Sequence, residues 1–357
     1  METVFLSSLK SLFDVIAEQR ELYIPHYEEG HFSFVRYEAN RNQKIDFNEL
    51  RVCQPAKQFL FPLREIAAVF PEPAEGPVIK PFAVYGLKDC DLRAIQILDK
   101  VFAEEEFCDP SYLLRRENML IISSDCYNPS ESCFCLMVDG EVFPQQGYDL
   151  NISKIKDGYI IRAGSDKGLT LLRENESLFA DVPHAAILER DDNRVRTRMQ
   201  SEEILADYQF DVPINQIMNG GCESELFDNE AKGCVECQAC TRICPTCHCF
   251  YLYDEKQRDY YQKMKIWDSC VRLDYATVAG GENPRRLLTN RTLHRLMHKF
   301  VFFLDRYGIQ MCVGCGRCID ACAGETNIRD VLKKLYDESK TKNNQKLKNG
   351  KKSIPTD

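Results

Sequence analysis

Cys234, Cys237, Cys240 and Cys244, with Pro245 following, and then Cys312, Cys315, Cys318 and Cys322 form two C-x2-C-x2-C-x3-C runs. Thiolates at that spacing let a short loop wrap an iron–sulfur cube with three ligands, while the fourth, one helical turn on, reaches a second cube. The chemistry this implies is one-electron transfer. Zinc is the alternative, but structural zinc sites use two separated pairs of ligands, not three cysteines crowded into a single short loop. Pro245 stops the chain from continuing as helix where the fourth thiolate must point away. Ala323 stands in that place after the second run, a change that touches backbone stiffness and no ligand.

Four further cysteines depend on the elements that carry them. Phe82-Ala-Val-Tyr85 reads as a buried strand closed by Gly86, and an amphipathic helix follows from Asp91 with Leu92, Ile95, Leu98 and Phe102 on one face. Met119-Leu-Ile-Ile122 is the next strand. Strand, helix, strand makes a right-handed crossover with both strands parallel and their carboxyl ends on one edge. Cys90 follows the first strand and Cys126 the second, so both belong to the edge where open α/β sheets bind ligands. Cys133 and Cys135 come just after. Cys90, Cys126, Cys133 and Cys135 therefore define a candidate third cluster site, with Cys90 at a helix start where the dipole would lower a thiol pKa. Ordinary packing of small buried thiols is the competing reading. Cys247, Cys249 and Cys270, with His248 among them, are consistent with a further cluster, a catalytic site or packing; Cys53, Cys108 and Cys222 have no evident constellation. His294 and His298 read as a surface or cluster-shielding face, since no HExxH glutamate lies between them.

Around these blocks, residues 6–20 fit a helix and 31–37 short extended pieces. Tyr148–Ile152 and Tyr159–Arg162 read as a hairpin turned at Asp157-Gly158, and 168–180 and 185–208 as helices, the second highly charged and mostly solvated. A helical, basic insertion covers 283–305. The expected domains are an α/β domain over residues 1–212, an α-helical ferredoxin-like domain with two 4Fe-4S clusters over 213–338, and a disordered lysine-rich tail over 339–357.

The chain has 357 residues, 18 cysteines and a formal charge of −9. The acidic balance, without a basic stripe interleaved with aromatics, argues against nucleic acid. The N-terminus reads as an amphipathic helix and not a signal peptide, and no apolar stretch is long enough to cross a bilayer, so a cytoplasmic protein is expected. In that compartment cysteines serve metal, redox chemistry or packing rather than a disulfide framework. Neither G-x-G-x-x-G after a strand nor G-x4-G-K-[ST] is present, and no nucleophile sits beside a recognisable base.

Gly86-Leu-Lys-Asp-Cys-Asp-Leu92, Asp109-Pro-Ser-Tyr112 with Arg115-Arg116, Cys133-Phe-Cys135, Cys244-Pro-Thr-Cys-His-Cys249, Trp267-Asp-Ser-Cys270 and Cys312-Val-Gly-Cys-Gly-Arg-Cys318 resemble the beta subunit of sulfhydrogenases and the A subunit of anaerobic sulfite reductase. The resemblance runs from about residue 55 to 335. It implies a non-catalytic electron-transfer subunit, partnered by a flavin- and NAD(P)-binding subunit on one side. On the other it implies a catalytic subunit of hydrogenase, sulfite reductase or heterodisulfide-reductase type. Crossed ligation, as in two-cluster ferredoxins, assigns Cys234, Cys237, Cys240 and Cys322 to one cube and Cys312, Cys315, Cys318 and Cys244 to the other. Two rivals stand beside this reading: a catalytic sulfur- or disulfide-reducing subunit using the N-terminal cysteines, and an interaction protein with purely structural clusters.

Overall fold

The computed structural model describes residues 2–39, 45–71 and 78–350. Its strands are β1 (Thr3–Leu6), β2 (Glu21–Glu28), β3 (His31–Arg36), β4 (Arg64–Phe70), β5 (Phe82–Leu87), β6 (Met119–Ser124), β7 (Leu150–Ile155), β8 (Gly158–Ala163), β9 (Phe250–Lys256) and β10 (Tyr261–Trp267). Its helices are α1 (Leu9–Gln19), α2 (Lys57–Leu60), α3 (Asp89–Phe102), α4 (Pro110–Asn118), α5 (Asp166–Glu174), α6 (His184–Ile204), α7 (Ile214–Gly221), α8 (Leu226–Gly233), α9 (Ala239–Arg242), α10 (Leu288–Met297), α11 (Phe303–Tyr307), α12 (Arg317–Asp320) and α13 (Ile328–Gly350).

The chain divides into two units: a first of Met1–Ile204, Ile243–Trp267 and Val313–Arg317, and a second of Leu205–Arg242, Asp268–Cys312 and Cys318 onward. The expected domains were contiguous in sequence; these units are not. Two stretches from the cysteine-rich half belong to the first unit.

In the first unit β5 and β6 are buried at every position, as strands covered on both faces must be. The side-chain period of two splits them. Ala83, Tyr85, Leu120 and Ile122 join α1 residues Leu12 and Phe13 in one core, and Phe82, Val84, Met119 and Ile121 join Leu92, Ile95 and Leu98 of α3 in the other. The sheet order is β1-β8-β7-β6-β5-β2-β3, with β2, β5, β6 and β7 parallel and antiparallel pairs at both edges. The expected parallel β5–α3–β6 crossover and the β7–β8 hairpin are both present. The expected helix over 6–20 starts later, at Leu9, because Thr3–Leu6 instead pairs with β8. Gly86 does not end its strand: β5 continues to Leu87, with Gly86 at φ +86° where a Cβ would lie 2.4 Å from the Pro25 ring.

A second, antiparallel sheet, β4-β10-β9, was not foreseen. Buried ionic contacts tie it to α4: Lys265 Nζ meets Glu65 Oε1 at 2.5 Å and also Asp109, while Arg115 Nη1 meets the other Glu65 oxygen at 2.7 Å. Such charges persist in a core only when each is paired. This network accounts for the Asp109 and Arg115 block as structure.

In the second unit α7 packs on α13, where a Cβ on Gly221 would lie 2.7 Å from Leu335. The basic insertion is helical as expected, α10 running through a π-helical turn at His298–Phe302 into α11. The tail expected to be disordered from 339 continues α13 as far as Gly350. Lys, Gln and Leu are good helix formers, and Lys340 is anchored on Asp211 at 2.5 Å. Residues 351–357 lie outside the described residues.

His294 stacks on His298 with ring centroids 6.0 Å apart. Burial, with the nearby Arg285 charge, holds its pKa down at about 4. The unfolded chain therefore takes up this proton first. Stability is fully present above the unfolded value near 6.5 and is lost as pH falls toward about 4. Urea denaturation at a series of pH values should show a shallower loss over that window in His294→Gln than in the parent; identical slopes would contradict the assignment.

Candidate iron–sulfur sites

Each unit contains a cavity walled by thiols. In the second unit Cys234, Cys240, Cys318 and Cys322 line a space of about 530 Å³, its open mouth included, together with Phe227, Val271 and Leu296. Three of the four thiols assigned by spacing to the first cube are therefore in one wall. The fourth, Cys237, is exposed and does not line the cavity, and Cys318, assigned to the other cube, does. Burial raises the Cys234 thiol pKa, against the pull of the Glu236 N–H that it accepts. Cys322 Sγ accepts the Thr326 N–H at 3.2 Å. Donors aimed at a ligand sulfur stabilise the thiolate and raise the potential of a cluster held there. Among the described residues no three Cys, His, Asp or Glu side chains gather as a site for a single metal ion.

The two runs share a backbone pattern that the spacing alone does not reveal. Glu236 and Gln238 flank Cys237 with φ of 53° and 63°, and Gly314 and Gly316 flank Cys315 with φ of 65° and 75°. Left-handed residues on either side of the middle cysteine coil the loop around the point its thiols face. The first run places non-glycine residues in these strained positions, a cost that marks functional loops. In the second run glycine is compulsory for another reason. A Cβ on Gly314 would lie 2.4 Å from the Phe134 carbonyl oxygen, and one on Gly316 equally close, 2.4 Å, to that of Ser132. The segment Val313–Arg317 thus lies backbone to backbone on Ser132–Cys135, and the Phe134 N–H donates to Gly314 O at 2.8 Å. Arg317 locks it: its guanidinium is 2.8 Å from Asp91 Oδ1 with both side chains buried, and its Nε–H donates to Val52 O at 2.9 Å.

In the first unit Cys90, Cys126, Cys133 and Cys135 line one cavity of about 410 Å³, mouth included, and Cys315 joins them. The crossover does bring the first two together: Cys90 opens α3 just after β5, and Cys126 lies two residues beyond β6. The expectation that the helix dipole lowers the Cys90 pKa is overturned. Burial raises it well above the ordinary thiol value, and Asp91 adds to the rise. Burial pushes Cys126 up to about 11, with Lys88 opposing.

Lys88 and Arg51 line the same cavity. The Lys88 ammonium is buried, donating to Asn48 O at 2.5 Å, Asp125 O at 2.7 Å and Ser124 Oγ at 2.9 Å. Burial lowers its pKa, while the surrounding thiols and carboxylates pull it back up. Arg51 Nη2 donates to Ser132 Oγ at 3.2 Å.

Cys247 is buried, with its carbonyl accepting from Lys57 Nζ at 2.8 Å, and that ammonium lies 4.1 Å over the Trp267 ring. His248 Nδ1 meets Thr246 O at 2.9 Å. Cys270 is buried in the second unit; Cys53 and Cys108 are exposed.

Residues 233–326 match the family described as a 4Fe-4S dicluster domain. Sulfhydrogenase 2 subunit beta of Pyrococcus furiosus is 32% identical over 313 residues, covering 85% of this chain and 89% of that protein. The chain belongs to the sulfhydrogenase beta-subunit family. As a family member with the dicluster domain it binds two 4Fe-4S clusters. The thiols and the coiled loops fit such clusters.

Reading the sequence missed Lys88, Arg51, Arg317 and the place of Cys315. A lysine directly after a buried strand, in Gly86-Leu-Lys-Asp, was the one visible signal, since Lys at a sheet's carboxyl edge either reaches solvent or serves a site. The docking of the second run carries its own prediction. Gly316→Ala combines a left-handed φ with a clash against fixed backbone and should cost about 2–4 kcal/mol. Gly220→Ala, in α7 with nothing within 4 Å, should be neutral or slightly stabilising. Denaturant titration of both variants checks the pair; equal stabilities would contradict the close approach.

Proposed function

We propose that the chain is the iron–sulfur electron-transfer subunit of a sulfhydrogenase-like complex, relaying electrons between a flavin- and NAD(P)-binding subunit and a catalytic redox subunit. The observation that carries this reading is the pair of cysteine runs with matched left-handed loops in a chain of the sulfhydrogenase beta-subunit family. When bound, each cluster accepts and releases one electron. The chain's part is to hold the clusters and to set their surroundings. Cys234, Cys237, Cys240 and Cys322 are assigned to the first cube, and Cys312, Cys315, Cys318 and Cys244 to the second, by the crossed ligation of such runs.

The placement of donors supports a redox role over a scaffolding one. N–H groups on Cys234 and Cys322 stabilise negative charge on the sulfurs, which favours the reduced state. Phe227, Val271 and Leu296 give the cavity wall an apolar part beside Glu230, Thr292 and Arg295. A cytoplasmic setting fits the cysteine content, and among the described residues no helix is long and apolar enough to cross a membrane.

Potentiometric titration followed by electron paramagnetic resonance, on full-length protein prepared without oxygen, tests this. At least about two spins per chain should appear on reduction and vanish on reoxidation, one for each reducible cube. Clusters that cannot be cycled would mark them as structural and overturn the relay. Cys240→Ala should remove about four irons, those of one cube, with the circular dichroism of the sheet retained. Purification of the native complex should yield a flavin-containing partner; a chain isolated only as a monomer would count against the partnership.

A further inference from the structure

Four of the five thiols that line the cavity of the first unit, all but Cys315, lie outside the two runs and before the dicluster match, which begins only at residue 233. We propose that Cys90, Cys126, Cys133 and Cys135 hold a third 4Fe-4S cluster there, wired to the second cube through Cys315. The wiring clause rests on the assignment of Cys315 to that cube; the site itself does not.

Four observations converge. Four thiols from three separate parts of the chain, the start of α3, the end of β6 and the Ser132–Cys135 segment, face one space. That number saturates a cube, as a carrier requires. The walls also hold the buried Lys88 ammonium, whose hydrogen-bond acceptors are two backbone carbonyls and a hydroxyl, all neutral oxygens. Asp91 and Asp125 act on this ammonium without accepting its hydrogen bonds, and an anionic tetrathiolate cluster beside it adds counter-charge to offset the cost of burying the cation. Arg51, at 5% exposure, adds a second cation to the same wall.

The wiring is equally local. Cys315 is in the cavity wall, and the peptide that precedes it contributes the Gly314 carbonyl to the Phe134 N–H at 2.8 Å. Phe134 lies between two of the proposed ligands. One hydrogen bond therefore joins the ligand segment of the third cluster to that of the second. The glycines at 314 and 316 exist to permit this contact, because any side chain there would strike Phe134 or Ser132 backbone.

Iron and acid-labile sulfide should be counted on the full-length chain prepared without oxygen, alongside Cys126→Ala, Cys135→Ala and Cys240→Ala. The proposal expects about twelve of each per chain, four for each cube, falling to about eight in either first-unit variant. Cys126→Ala must leave the resonance of the first cube unchanged, a readout that separates loss of one cluster from unfolding. A parent count of about eight that Cys126→Ala and Cys135→Ala do not alter, while Cys240→Ala lowers it by about four, overturns the third site and leaves the two-cube reading standing. One zinc per chain bound through Cys126 overturns it equally.

Discussion

Two backbones in van der Waals contact organise this protein. Val313–Arg317, the middle of the second cysteine run, lies so close on Ser132–Cys135 that neither Gly314 nor Gly316 can carry a Cβ. The same glycines supply the positive φ values that coil the run around its thiols. One constraint thus serves two ends: it shapes a cluster-binding loop and fixes that loop to the carboxyl edge of the parallel sheet. Arg317 completes the attachment through Asp91, a residue of the helix that also presents Cys90. The short stretch Val313–Arg317 belongs to the first unit for this reason.

That edge of the sheet is unusually charged for a buried region. Lys88, Asp91, Asp125, Arg194 and Arg317 all approach it, and the pairs are specific: Arg317 with Asp91, and Arg194 with Asp125 at 2.8 Å. Arg194 brings the charged helix α6 onto the sheet, also stacking over Phe143 at 3.9 Å. Lys88 donates its hydrogen bonds to neutral oxygens, with Asp125 and Asp91 acting on it through charge. Fixed cations around buried thiols favour thiolate and anionic sulfur chemistry. The burial that raises the thiol pKa values of Cys90 and Cys126 works against the charged form, and the nearby cations offset part of that cost.

The strongest parts of this architecture were legible in the residues. Phe82–Tyr85 and Met119–Ile122 are continuous apolar runs flanking an amphipathic helix, and that pattern admits few topologies; the parallel pair and the Cys90–Cys126 edge followed. The spacing of the two cysteine runs pointed to iron–sulfur cubes, and the dicluster match over residues 233–326 agrees with it. What stayed hidden was tertiary. Thr3–Leu6 is too short to read as a strand until β8 is there to pair with it. The β4-β10-β9 sheet joins segments nearly two hundred residues apart, with mostly exposed positions in β4 and β9 that give no clear alternation. The dipole argument for Cys90 failed because helix position is visible in sequence and depth of burial is not. Cys315 could not be placed in the cavity wall either, since the spacing of a run says which thiols share a loop and nothing about what lies behind it.

Mössbauer spectroscopy of iron-enriched full-length protein, recorded before and after anaerobic reduction with dithionite, tests the central claim most directly. The account predicts that all bound iron is present as oxidised 4Fe-4S clusters and passes into the reduced form as a set, returning on reoxidation. Iron found in isolated tetrathiolate sites, or cube iron indifferent to dithionite, would contradict it.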